Sequence, residues 1–195
     1  AKAIKNLPNV LDVTGYSNGT GELVYGSKYL SISYSGVNSS YTFVENHDLE
    51  TGRFFSESDV TSMKKYVVIA SDVRDKLFPN INPIGKSIKI DETKFSIIGV
   101  LESKGSVLFN NPDDQVYIPI TVSQKIMKGE NYLNVLRMKI DSEDNVEMVK
   151  GQVKKLLMAR HNIREEGDAD FSVRSALQAL EVLGTITQSI RYFLV

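Results

Sequence analysis

Apolar residues in this chain come in short β-branched runs set between clusters of Gly, Asn, Ser and Pro. Tyr66–Ala70 is one run, Ser87–Ile90 and Lys94–Leu101 form a pair around Asp91-Glu92, and Val116–Pro119 is another. Runs this short, bounded by turn formers, specify strands of a folded core. A membrane span needs about 18 consecutive apolar residues or more, and no such stretch occurs.

Helical patterns alternate with these strands. Ser56 is placed to cap a short helix running to Lys65, with Asp59 in the first turn, where the helix dipole favours an acid. Ser71–Phe78 reads as a helix stopped by Pro79, and Thr121 with Gln124 spells a capping box opening a helix to Lys128. Ser142–Arg160 carries Val146, Val149, Val153, Leu156 and Leu157 on one stripe, with acids in its first turn and bases in its last. Ser175 with Gln178 caps a final helix bearing Leu177, Leu180, Leu183, Ile186 and Ile190.

The remaining strands are expected at Leu11–Tyr16, Glu22–Tyr25, Tyr29–Tyr34, Tyr41–Val44, Leu133–Ile140 and Phe171–Arg174, with Asn18-Gly19 as a hairpin turn. Ser103–Gln115 is a polar loop. The pattern specifies an α+β fold with a strand-rich middle section.

Composition narrows function mainly by exclusion. The net charge is −1 with both signs interspersed, which lacks the basic excess of a nucleic-acid binder. There is no cysteine, so disulfides, thiolate metal sites and a cysteine nucleophile are excluded. Ala1–Val10 has no leader-like apolar stretch, while the last residues, Ile190 to Val195, grow steadily more apolar. Either the protein is cytosolic or this is a soluble piece of a larger one; the two ends favour the second reading, while a terminal helix docked on the core accounts equally well for the apolar last residues.

Motifs with chemical potential do not mature into sites. Gly85-Lys86-Ser87 resembles the end of a phosphate-binding loop, but Asn80 stands where that loop needs its first glycine, Pro83 interrupts it, and a strand follows. The two histidines, His47 and His161, lack the helical spacing and distant carboxylate of a zinc site. Asp113-Asp114 and Glu165-Glu166-Gly167-Asp168 are loop acids that fix no separation across a glycosidic bond and fit no calcium-loop register. No serine sits in a nucleophile elbow. The expectation is a non-catalytic domain without cofactor or metal.

Several segments, in order, resemble the MacB-type periplasmic core domain of ABC-transporter permeases with an FtsX-like membrane region. They are Ala3–Val10, Leu49–Phe55, Val67–Ala70, Asn82–Ile88, Phe95–Glu102, Val116–Pro119, Leu156–Ile163 and Asp170–Val173. The resemblance implies a split porter-like α/β subdomain over 1–44 and 116–175. It further implies an inserted, mainly β subdomain of the Sabre kind over 45–115, and a C-terminal helix over 176–195 leading toward a transmembrane span. The chain departs from the family pattern in lacking the strand that precedes the first helix.

The resemblance also implies partners: the domain's own transmembrane helices, an ABC ATPase that uses ATP, a second permease copy, and a periplasmic adaptor. Its place is the extracytoplasmic face of the cell membrane, and its task is to transmit ATP-driven movement for export of antibiotics, peptides or lipoproteins. The alternative is a sensing module for peptides or lipids. Two polar loops are expected to be exposed and to meet partners, through Asn46, His47 and Asp48 in one and Lys104, Phe109, Asn110, Asp113 and Asp114 in the other.

Overall fold

Backbone hydrogen bonds join eight strands into one sheet in a computed structural model that describes residues 1–105, 111–176 and 178. The strands are β1 (Val10–Tyr25), β2 (Lys28–Val37), β3 (Leu49–Gly52), β4 (Tyr66–Ile69), β5 (Ser87–Ile90), β6 (Thr93–Leu101), β7 (Gln115–Pro119) and β8 (Val135–Ile140). Packing separates two units: Asp12–Lys139 with Ala1, and Lys2–Leu11 with the chain from Ile140.

In the larger unit six strands close on themselves. The path β2-β7-β4-β6-β5-β1 returns to its start because β1 also pairs with β2. Closure removes the free edges that an open sheet exposes. Side chains alternate across each strand, so one face of the ring gathers Leu23, Ile32, Val67, Ile69, Ile88, Ile90, Phe95, Ile97, Val116 and Ile118 into a single buried cluster. The opposite face carries Tyr16, Val37, Val68, Ala70, Leu101 and Tyr117, packed with Tyr41 and Val60 from two neighbouring short helices and with Phe55 from the chain just before the second of them.

One irregularity keeps this alternation in phase. Val67 pairs with Ile97 but Val68 pairs with Gly99, leaving Ile98 as an extra residue on β6. The inward positions therefore run Phe95, Ile97, then Val100. The Ile98 carbonyl is not wasted, since it accepts the Arg53 N–H at 2.9 Å.

The strands at 66–69, 87–90 and 93–101, the turn at Asp91-Glu92 and the helix Ser71–Leu77 stand where expected. Ser56 and Asp59 form a reciprocal capping box on Glu57–Thr61, and the Arg53 guanidinium beside Asp59 brings that carboxyl down to about 2. Other expectations change. β1 runs unbroken through Asn18-Gly19, because Gly19 leaves room for the Tyr34 ring, which an added Cβ would meet at 2.4 Å. The hairpin turn lies instead between Tyr25 and Lys28, where Gly26 adopts φ +59°. Tyr41–Glu45 is a helix, closed by left-handed Asn46, rather than a strand. The segment from Ile120 has Pro119 at its N-cap position with no side-chain cap bond, in place of the expected Thr121–Gln124 box, and the Thr121 hydroxyl donates to the Val60 carbonyl.

β7 pairs with β2 on one edge and with β4 on the other, so a single sheet takes strands from both sides of positions 44/45 and 115/116.

In the smaller unit the helix Val146–His161 buries Val149 and Val153 and ends at left-handed Asn162. The Asn9 amide donates to Asp141 at 2.9 Å. The expected strand over Phe171–Arg174 is irregular chain, preceded by Asp170, which pairs with His161 at 2.8 Å. The Ser175–Gln178 box forms reciprocally. The rest of the expected C-terminal helix, with Leu177, Leu180, Leu183, Ile186 and Ile190, lies outside the described residues. Among the described residues no helix is long and apolar enough to cross a membrane.

Candidate functional site

Strand periodicity brings tyrosines together on the outer face of the larger unit. Residues two apart on a strand share a side, so β1 offers Tyr16 and Asn18, β7 offers Gln115 and Tyr117, and β8 offers Val135 and Arg137. The helix Tyr41–Glu45 adds Tyr41 and Glu45, and the turn after it adds His47. With Ser35, Lys104 and Pro112 these residues line a hollow of about 230 Å³.

The rim is charged. Glu45 accepts from the Tyr16 hydroxyl on Oε1 and from Arg137 Nη1 on Oε2 at 2.9 Å. The Arg137 guanidinium also lies over the Tyr16 ring, 5.2 Å from its centre. Burial, then the Glu45 carboxylate, pushes the Tyr16 hydroxyl well above its ordinary range, so it stays a neutral donor. Lys104 Nζ donates to the Glu45 carbonyl.

The floor is neutral. His47 Nε2 lies 2.8 Å from the Glu102 carbonyl, which can only accept, so Nε2 carries the proton. Nδ1 is then the acceptor for the Tyr41 hydroxyl at 3.0 Å. Tyr117 packs 4.6 Å from Tyr41, ring centre to ring centre, and its hydroxyl is raised to about 12, chiefly by burial. Both His47 nitrogens are engaged inside the protein, so the ring cannot pass a proton to a molecule in the hollow without breaking a bond that holds it. The arrangement suits binding rather than proton transfer.

Burial, reinforced by Lys104 and opposed by Asp113, Glu45 and the Glu102 carbonyl, lowers the His47 pKa below 6.5. The unfolded chain then takes up the proton first, and stability present above about pH 6.5 is lost as pH falls through that value toward the folded one. Thermal unfolding followed from pH 8 to pH 5 should show this decline. His47→Gln, which keeps an N–H for Glu102 and an acceptor for Tyr41, should flatten it; an unchanged slope would remove His47 as its source.

The expected contact residues divide. His47 and Lys104 line the hollow. His47 is not exposed as expected but only 1% accessible, because its two ring bonds satisfy its polarity between Tyr41 and Tyr117. Asp113 is likewise buried: Ser103 Oγ, Lys104 N and Gly105 N donate to it at 2.6, 2.9 and 2.8 Å. Burial alone would raise its pKa, yet these three bonds hold the carboxyl below its usual range. Asn46 is exposed and accepts from Lys139, Asp48 is exposed, and Asp114 pairs with Lys76 at 2.6 Å. Phe109 and Asn110 lie outside the described residues. The tyrosines, Glu45 and Arg137 were legible only as scattered core or surface positions, and period-two spacing was the one available signal.

Residues 1–156 match the MacB-like periplasmic core domain, and the chain belongs to that family. The macrolide export ATP-binding/permease protein MacB of Chlorobium luteolum is 30% identical over 185 residues, covering 95% of this chain and 28% of that protein. The protein of the same name from Neisseria meningitidis is 29% identical over 191 residues, covering 98% and 29%. The chain thus spans under a third of the length of these curated relatives.

Among solved structures, the periplasmic region of MacB from Actinobacillus actinomycetemcomitans superposes with a TM-score of 0.76 at 26% identity, over 98% of this chain and 80% of that one. The extracellular domain of the transporter YknZ from Gram-positive bacteria shares the fold, with a TM-score of 0.73 at 23% identity, over 84% and 83%.

Proposed function

We propose that this domain stands on the extracytoplasmic side of a membrane and transmits ATP-driven movement of its parent permease to substrates being exported. The carrying observation is the family match over residues 1–156. In this reading the chemistry of ATP belongs to a separate or fused ATPase domain, and the domain itself is non-catalytic and carries no cofactor. It works beside a second permease copy and contacts a periplasmic adaptor, with antibiotics, peptides or lipoproteins as the exported class. The porter-like and Sabre-like division is retained as a description of how its sub-parts would move.

The test is coupling in the full-length permease with its ATPase, reconstituted in vesicles. Replacing this domain by a short inert linker should leave ATP hydrolysis measurable and abolish export. Export at the unmodified rate would end the proposal.

A second reading, a sensing module for peptides or lipids, is favoured by the polar hollow described above.

A further inference from the structure

The hollow has hydrogen-bonding capacity that its own contacts leave unused, and that capacity is mainly donor. Both oxygens of Glu45 are taken, by Tyr16 and Arg137. Both nitrogens of His47 are taken, and the Tyr41 hydroxyl is spent on one of them. The Gln115 carbonyl oxygen accepts from Ser35 Oγ at 3.1 Å, which leaves its amide N–H groups. Arg137 uses one of five guanidinium N–H donors on Glu45, and Lys104 spends one of three on a backbone carbonyl. The exposed Asn18 side chain adds a further amide.

Charge points the same way. Two cations, Lys104 and Arg137, face one carboxylate, Glu45, across the lining. Asp113, the neighbouring acid, is outside the lining and its oxygens are occupied by three donors of its own loop. The rest of the lining includes the rings of Tyr16, Tyr41 and Tyr117 with Pro112 and Val135. At about 230 Å³ the space falls below the roughly 300–1,000 Å³ of pockets for drug-sized ligands, so it fits one residue-sized group.

We propose that this hollow binds a carboxylate borne on a single apolar or aromatic residue-sized body, with the carboxylate on Arg137 and Lys104 and the body against the tyrosines. The C-terminal residue of a peptide and a free small carboxylic acid both carry that chemistry. The proposal rests on the binding reading of this site and is independent of export.

Calorimetric titration of the 195-residue chain distinguishes the cases, using N-acetyl-L-phenylalanine, its carboxamide, and 3-phenylpropionate as probes. The acids should bind saturably at one site, and the carboxamide should bind about tenfold more weakly or worse, the loss of a charge-assisted hydrogen bond. Lys104→Met and Asn18→Asp alter exposed side chains and should leave the melting temperature unchanged. Each should weaken acid binding, Asn18→Asp by about tenfold or more through like-charge repulsion. Tighter binding of the N-acetyl acid than of 3-phenylpropionate supports a peptide terminus; equal binding supports a free acid.

Equal affinity for acid and carboxamide, or acid binding indifferent to both variants, overturns the proposal. If acids are inert while a neutral peptide or lipid saturates the chain, the carboxylate assignment falls and the sensing reading stands.

Discussion

Replacing Gly52 by alanine should lower the melting temperature by about 5–15 °C, whereas the same change at Gly85 should cost only a few degrees. Both glycines adopt φ +80°, so both substitutions pay the left-handed penalty of about 1–2 kcal/mol. Their surroundings differ. A Cβ at Gly85 meets nothing within 4 Å, while at Gly52 it would lie 2.3 Å from the Ile98 carbonyl oxygen and 2.8 Å from the Gly99 Cα. These are backbone atoms of the bulge, and that carbonyl is already bonded to Arg53 N–H. Overpacking of this kind adds about 1–3 kcal/mol. At about 2–4 °C per kcal/mol for a chain of this size, the two variants should separate clearly in parallel circular-dichroism melts. Equal falls would mean that the approach of Gly52 to β6 does not constrain the joint.

Phe95→Ala should be the other severe change, at about 3–5 kcal/mol. Phe95 is wholly buried in the cluster fed by all six strands of the ring, so the vacated volume has little freedom to collapse. Phe43→Ala is the contrast. That ring is 50% exposed and lies 4.3 Å from Lys139 Nζ, a cation–π contact worth about 0.5–1 kcal/mol at the surface. Urea titration should show a lower midpoint with an unchanged slope for Phe95→Ala, and almost no movement for Phe43→Ala. A Phe95→Ala midpoint close to that of the parent chain would refute a close-packed ring interior.

How far local residues foretold this molecule depends on whether their signal was local. Ser56 with Asp59 and Ser175 with Gln178 act within one turn: Ser56 caps as expected, with Asp59 completing a box, and the Ser175–Gln178 box forms as spelled. The run Tyr66–Ile69 carries its own β-branched signature. By contrast, Asn18-Gly19 looks like a turn because turn residues are small. Here small size serves a partner distant in sequence, the Tyr34 ring. Tyr41–Glu45 alternates like a strand over five residues, too few to distinguish the two periods. Closure of the ring rests on a short pairing of Leu23 and Val24 with Ile90 and Lys89, contacts that no local pattern encodes.

The site was harder to read for a related reason. Polar loop residues suggested exposure, yet His47 and Asp113 are buried where bonds from Tyr41, Ser103 and loop N–H groups satisfy them. The hollow's character comes from tyrosines that, one at a time, look like ordinary core.

The uninterrupted β1 has a mechanical side. Tyr16–Tyr25 lies antiparallel to Lys28–Val37 without a slip in register, over about 30 Å of chain. A tug applied along that direction shears the whole ladder at once, whereas a tug across it would peel the rungs singly. The absence of a turn at Asn18-Gly19 is what makes this stretch a strut instead of a hinge.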